Sequence, residues 1–137
     1  MDREHVELLL VKAAQDEFAL SDWEKNKNAP PELYGFHAQQ AAEKLLKAAI
    51  IAAGVTYPLT HRLEDLIELI KDLGIPLPKE FDDLDNLTPF AVEFRYDIFP
   101  VEPEASLDKA MIRKWIQDLR AWVEWFYKDK LGENQDL

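Results

Sequence analysis

The sequence predicts an all-α fold, an antiparallel four-helix up-and-down bundle with an additional short helix. Apolar residues recur at helical spacing along nearly the whole chain, and no segment alternates between apolar and polar residues as a half-buried strand does. Prolines and glycines separate the helical stretches. The 137 residues, of which 47% are hydrophobic, suit a single domain. We expect this domain to span residues 1–131 and a frayed tail to follow over residues 132–137.

The breaks between the apolar stretches predict where each helix begins and ends. Pro30 and Pro31 end the first helix, and Gly54 is a natural stop for the second. Thr60 and Thr88 have the character of helix N-caps. Helical segments are therefore expected at 2–25, 31–53, 60–73, 79–86, 89–96 and 105–131. In the last segment Trp115, Trp122 and Phe126 recur at the spacing of a core stripe, whereas Trp125 lies off that line and could face a partner.

Composition and charge exclude several classes of function. The formal net charge of −11 disfavours nonspecific binding to nucleic acid, because an acidic surface repels phosphate backbones. The absence of cysteine excludes disulfides and thiol chemistry. Three scattered histidines predict no metal site, and without a glycine-rich phosphate loop no cofactor is expected. The charged start and the lack of a long apolar run predict a cytoplasmic protein with no membrane association.

Three segments together resemble a known family. They are residues 36–48 in the second helix, the stretch that continues through Gly54 to 57–66, and residues 91–97, which contain Arg95 and Tyr96. Their order and spacing over roughly residues 5–128 are similar to those of the HEPN domain family. The resemblance implies a helical bundle that usually forms a homodimer. It also implies a place in a toxin–antitoxin or related module, often beside a minimal nucleotidyltransferase as partner protein.

Many HEPN domains are metal-independent ribonucleases whose motif is an Arg, four to six residues, and then a His. Arg95 stands where that Arg is expected, but residues 96–102 contain no His. The proton-transfer role that His fills near neutral pH is therefore vacant in this motif. Whether the chain is an enzyme stays open. The candidate catalytic residues are Arg95, Asp97 and His61.

A second candidate site is a strip on the second helix. His37, Gln40, Lys44 and Lys47 recur at helical spacing and share a face. They could bind the phosphate of a nucleotide or an RNA, and Tyr96 could stack on a base. Alternatively, the strip is a solvated face with a Glu43–Lys47 ion pair, and Tyr96 closes the core.

His61 also has two interpretations. It could lie near His37 or Arg95 as a proton-transfer group, or its hydrogen bond could fix the loop before the third helix.

Three functions remain open on these grounds. The first is a non-catalytic, dimeric HEPN-like module of a toxin–antitoxin or nucleotidyltransferase-type system that binds a nucleotide, RNA or a partner protein. The second is a divergent metal-independent ribonuclease that uses Arg95 with His61 or Asp97. The third is a purely structural oligomerisation domain.

Overall fold

The regular structure is helical throughout the part of the chain that a computed structural model describes, residues 1–25, 30–88 and 108–135. No strand occurs in these ranges, which confirms the predicted all-α class. The elements are α1 (Arg3–Glu24), α2 (Pro31–Ala52), α3 (Leu63–Asp72), the 3-10 helix η1 (Lys79–Leu87) and α4 (Lys109–Gln135).

The observed boundaries differ from the expected ones at several helix ends. The expected helix at 89–96 and the expected start of the last helix near 105 lie outside the described residues. The short piece after α3 is a 3-10 helix that ends at Leu87, and α4 continues past Leu131 to Gln135. The third helix begins at Leu63 rather than directly after Thr60.

Helix α2 forms the centre of the molecule and packs against α1, α3, η1 and α4. One side of it consists mainly of small residues, which let neighbouring helices approach closely. A stripe of mainly small residues along this helix is buried: Ala38, Ala41, Ala42, Leu45, Ala49 and Ala52.

Long-range hydrogen bonds fix the directions of the helices. The Tyr57 hydroxyl, beyond the end of α2, lies 2.9 Å from His5 Nε2 at the start of α1, so α1 and α2 are antiparallel. The Tyr34 hydroxyl near the start of α2 donates to the Lys109 carbonyl at the start of α4, at 3.1 Å. Helices α2 and α4 therefore begin at the same end of the bundle, and α4 runs antiparallel to α1.

The expected aromatic stripe of α4 is split between the core and the surface. Phe126 is buried, and Trp115 and Trp122 pack against the core while partly buried. Trp125 is 55% exposed, as its position off the stripe predicts.

Helices α2 and α3 both end in a glycine with positive φ, 85° at Gly54 and 76° at Gly74. After α2, the Gly54 N–H donates to the Ile51 carbonyl at 2.9 Å and the Val55 N–H donates to the Ile50 carbonyl at 3.3 Å. This pair of bonds is a Schellman motif, and it confirms Gly54 as the stop of α2.

The start of α3 is capped differently from the sequence prediction. Thr60 lies outside the helix, where its Oγ1 accepts from the Arg62 N–H and donates to Asp65. The Leu63 N–H, first in α3, donates instead to Thr88 Oγ1 at 3.1 Å. Thr88 was expected to cap the helix after it, which lies outside the described residues, and its hydroxyl also caps α3, which precedes it in the chain. Only the tertiary fold brings this donor and acceptor together.

Candidate functional site

Two buried carboxylates organise the polar side chains along α2. The first group, called here the Glu43 cluster, consists of Glu43, Gln39, Gln40, Lys47 and His61. The second, called the Asp16 cluster, consists of Asp16 from α1 with His37 and Lys44 from α2. Each carboxylate contacts one lysine and one histidine.

Glu43 accepts three hydrogen bonds in a site where only 5% of the residue is exposed. Its Oε1 receives Gln39 Nε2 at 3.0 Å and lies 2.9 Å from His61 Nδ1. Its Oε2 receives Lys47 Nζ at 2.9 Å. The same Gln39 amide donates to the His61 carbonyl at 3.0 Å, and Gln40 donates to Gln39 Oε1 at 2.7 Å. These bonds hold the connector between α2 and α3 against the middle of α2.

The charge state of Glu43 fixes the tautomer of His61. Burial acts to raise the pKa of Glu43, but the hydrogen bonds from Lys47, Gln39 and His61 outweigh it and hold that pKa below its ordinary value. The carboxylate is therefore ionised near neutral pH and can only accept. His61 Nδ1 must carry a proton, which assigns the lone pair of the neutral ring to Nε2.

His61 lies at the surface although its partner does not. Its side chain is 56% exposed, whereas that of Glu43 is 6% exposed. A buried carboxylate thus orients an imidazole that solvent can reach. Such a pair can present a directed hydrogen bond to a ligand, and it is also the arrangement that orients a general acid or base.

The Asp16 cluster is more enclosed. Asp16 Oδ1 lies 2.8 Å from His37 Nδ1, and its Oδ2 accepts from Lys44 Nζ at 2.6 Å. The His37 ring meets Trp23 edge-on, with ring centroids 4.9 Å apart. The His37 side chain is 26% exposed, less than half the value for His61. This geometry ties α1 to α2 and leaves His37 less accessible to a ligand than His61.

The predicted strip lies along α2, but each of its members contacts a partner within the chain. Lys44 and Lys47 pair with Asp16 and Glu43, His37 lies against Asp16, and Gln40 bonds to Gln39. The positive charge of the strip is therefore largely balanced from inside. The expected Glu43–Lys47 pair is present.

Sequence reasoning missed Asp16, and it treated Glu43 only as a partner of Lys47. Gln39, Glu43 and Lys47 are spaced at i,i+4, so their mutual contacts were visible in the sequence. Asp16 lies 21 residues from His37 and 28 from Lys44, and no local pattern connects them.

His61 does meet α2, through Glu43 rather than through His37. Arg95, Tyr96 and Asp97 lie outside the described residues, so their distance from His61 stays a prediction.

The described ranges contain no group of three or more histidine and acidic side chains arranged to hold a metal ion. In the same ranges, no helix is both long enough and apolar enough to cross a membrane.

Comparison with known proteins identifies the family. No curated protein and no solved structure matches the chain. The model of the HEPN domain matches residues 8–130, which include both carboxylate clusters. Domains of this family belong generally to nucleotide- and RNA-related modules and commonly form dimers. The matched region covers most of the sequence, and this chain belongs to the HEPN domain family.

Proposed function

We propose that this protein is a dimeric, non-catalytic HEPN module that binds RNA or a nucleotide through the surface around His61. We place it in a toxin–antitoxin or nucleotidyltransferase-type system, with a minimal nucleotidyltransferase as partner protein. The observation that carries the proposal is the pairing of an exposed His61 with the buried Glu43. The missing His after Arg95 supports a binding role rather than the usual ribonuclease activity of the family.

Burial of Glu43 supports a role for His61 beyond packing. Removing a carboxylate from water is costly unless hydrogen bonds replace the lost hydration. Three side chains of the Glu43 cluster, Gln39, Lys47 and His61, supply those hydrogen bonds, and the carboxylate in turn orients the solvent-exposed ring of His61. A ring held in one tautomer offers a ligand a directed acceptor at Nε2 without an ordering cost.

The internal charge balance argues for binding by directed hydrogen bonds rather than by bulk attraction. The net charge is −11, and the lysines of the strip are paired with Asp16 and Glu43. Few counterions would be released when RNA binds, so the affinity should depend only weakly on salt.

Titration calorimetry with mononucleotides and a short single-stranded RNA tests the proposal. We expect His61→Ala to weaken binding about tenfold, the effect of losing one good hydrogen bond in a site. Arg62→Ala is the matched control, because Arg62 is adjacent, exposed and paired with Glu64. Equal affinities of the wild type and His61→Ala would count against this surface. Absence of binding by either protein would instead favour the alternative of a purely structural oligomerisation domain.

A divergent metal-independent ribonuclease is the second candidate, favoured by the carboxylate-oriented ring of His61. In that case Nε2 would take the proton of an RNA 2′-hydroxyl as its oxygen attacks the adjacent phosphorus, the bond from phosphorus to the 5′-oxygen would break, and the leaving 5′-oxygen would take a proton from water. Arg95 would stabilise the negative charge of the phosphorane. Asp97, two residues after Arg95 in the sequence, is the other candidate catalytic residue.

Cleavage of RNA in the presence of a chelator tests this candidate. His61→Ala and Arg95→Ala should each lower the rate by about 100-fold or more. A wild type that binds RNA but leaves it intact would remove the candidate and keep the binding role.

A further inference from the structure

A separate groove runs along the first turns of α4. Its volume is about 430 Å³, and it is lined by Lys109, Ala110, Arg113, Lys114 and Gln117. This volume is within the roughly 300–1,000 Å³ of typical ligand sites. Among the described residues that line it, three of five are cationic, in a chain whose net charge is −11. No residue of the Glu43 cluster lines the groove.

The cations are placed on α4 in a way that opposes helix stability. Lys109 and Arg113 are four residues apart on one face, and like charges at this spacing repel each other. They also lie near the positive end of the helix dipole, where cations are disfavoured. A bound anion would relieve both effects.

Contacts with neighbouring helices hold these side chains in place. The Lys109 ammonium lies over the Tyr34 ring, 5.5 Å from its centroid, and Arg113 Nη1 donates to the main-chain carbonyl of Glu17 at 3.1 Å. Within the described ranges no carboxylate forms an ion pair with Lys109. Lys114 is different, because its Nζ bonds to Asp118 Oδ2 at 2.7 Å. Asp108 also lies nearby and accepts from the Met111 N–H.

We propose that this groove is a phosphate-binding site, with Lys109 and Arg113 as the main contacts and Lys114 and Gln117 at its edge. A guanidinium binds a phosphate through paired N–H donors, and a lysine adds a point charge beside it. The phosphate could be the terminal group of a nucleotide or a unit of an RNA backbone, since both offer the same oxygens.

Amide-resolved NMR titrations with three probes test the site. The probes are inorganic phosphate, adenosine monophosphate and a tetranucleotide RNA without a terminal phosphate. We expect phosphate and the mononucleotide to shift the amides of residues 109–117. A shift by the RNA as well would identify the backbone as a source, whereas no shift by the RNA would identify the terminal phosphate. If none of the probes moves these amides, the proposal is wrong.

Variants separate this site from the His61 surface. Lys109→Gln should weaken phosphate binding about tenfold, the effect of losing one charge-assisted contact. Lys128→Gln is the control, because Lys128 is exposed on the same helix away from the groove. An affinity of Lys109→Gln within twofold of the wild type, or an equal loss in Lys128→Gln, would overturn the proposal. Phosphate binding that is unchanged in Lys109→Gln and Arg113→Gln, beside RNA binding that is sensitive to His61→Ala, would overturn the groove alone. If phosphate binds in the groove but no ligand binds in a way that depends on His61, the groove proposal stands and the proposed function is wrong.

Discussion

Glu43 is the residue that joins the polar side chains along α2 to His61. Its two oxygens receive Gln39, His61 and Lys47, and all three lose a charged acceptor if the carboxylate is removed. Among the described residues, no buried side-chain nitrogen or oxygen lacks a partner, and removal of the carboxylate would take one partner from Gln39 and one from Lys47. Glu43 therefore links the stability of the connector before α3 to the orientation of His61.

We expect Glu43→Gln to lower the free energy of unfolding by about 2–3 kcal/mol, because Lys47 is left without its anion in a poorly solvated site. Urea denaturation monitored by circular dichroism measures this difference. Glu64→Gln is the control. Glu64 also pairs with a cation, Arg62, but its side chain is 36% exposed, so the loss should be less than about 1 kcal/mol. Equal losses in the two variants would contradict the argument from burial.

The lowered pKa of Glu43 also predicts how stability changes with pH. The folded pKa lies below the unfolded value, so the fold favours the ionised form. This contribution is fully present above the unfolded carboxyl pKa of about 4.3 and is lost as the pH falls through the lowered folded value. The stability difference between the wild type and Glu43→Gln should be largest near neutral pH and should shrink below about pH 4. Denaturation curves at several pH values check this, and a constant difference would contradict it.

The sequence predicted contacts at this scale only where they are local. The Glu43–Lys47 pair follows from i,i+4 spacing. The hydrogen bond of His61 was one of two open interpretations, but its partner could not be named because Glu43 lies 18 residues away. Asp16 gave no signal, since its partners belong to another helix. Arg95, Tyr96 and Asp97 stay predictions.

At the scale of the elements, glycines end α2 and α3 in the same way. Gly54 and Gly74 have φ values of 85° and 76°, and a Cβ at either position would meet nothing within 4 Å. A side chain at either position would therefore be disfavoured by the positive φ of the backbone and not by crowding against neighbouring atoms. Both ends could be predicted from the sequence because glycine acts locally. The cap at the start of α3 could not be predicted, because its hydrogen-bond acceptor is Thr88, which follows η1 in the sequence.

Gly54→Ala and Gly74→Ala should each lower the free energy of unfolding by about 1 kcal/mol, since alanine disfavours the left-handed conformation. Thermal and urea denaturation measure the change. Gly132→Ala is the matched control. Gly132 lies inside α4, where an added methyl group would meet no atom within 4 Å, and alanine is the better helix former. That variant should be neutral or slightly more stable, and a loss equal to that of Gly54→Ala would contradict the conformational argument.

At the scale of the whole molecule, Arg120 connects α4 to α1. Its guanidinium donates to both carboxylate oxygens of Glu17 and to the Leu10 carbonyl, and it also pairs with Glu124 on its own helix. Glu17 is only 8% exposed. Helix α1 packs mainly on α2 and much less on α4. The bonds of Arg120 therefore tie the first helix to the last, beside those from Arg113 to the Glu17 carbonyl and from Tyr127 to Glu7.

Arg120→Met should destabilise the fold by about 3–5 kcal/mol, because it leaves the buried Glu17 charge without a partner. Glu17→Leu combined with Arg120→Met removes that charge and should recover more than half of the loss. A double-mutant cycle from urea denaturation gives the coupling between the two residues. Additive losses would show that the pair does not act as a unit.

The proposed dimer is the remaining question at this scale, and α1 offers a surface for it. Leu8, Val11 and Phe18 are 54%, 56% and 75% exposed, and their spacing places them within about 80° of one another around the helix. HEPN domains commonly dimerise, and large apolar side chains grouped on one face are typical of contact surfaces.

We expect the wild type to sediment at twice the chain mass of 15.9 kDa. Phe18→Asp should weaken the dimer at least about tenfold by burying a charge in the contact. Leu59→Asp is the control, because Leu59 is fully exposed in the connector after α2. A Phe18→Asp protein that dimerises as the wild type does would rule out this face, and Trp125→Ala would then test the exposed aromatic of α4.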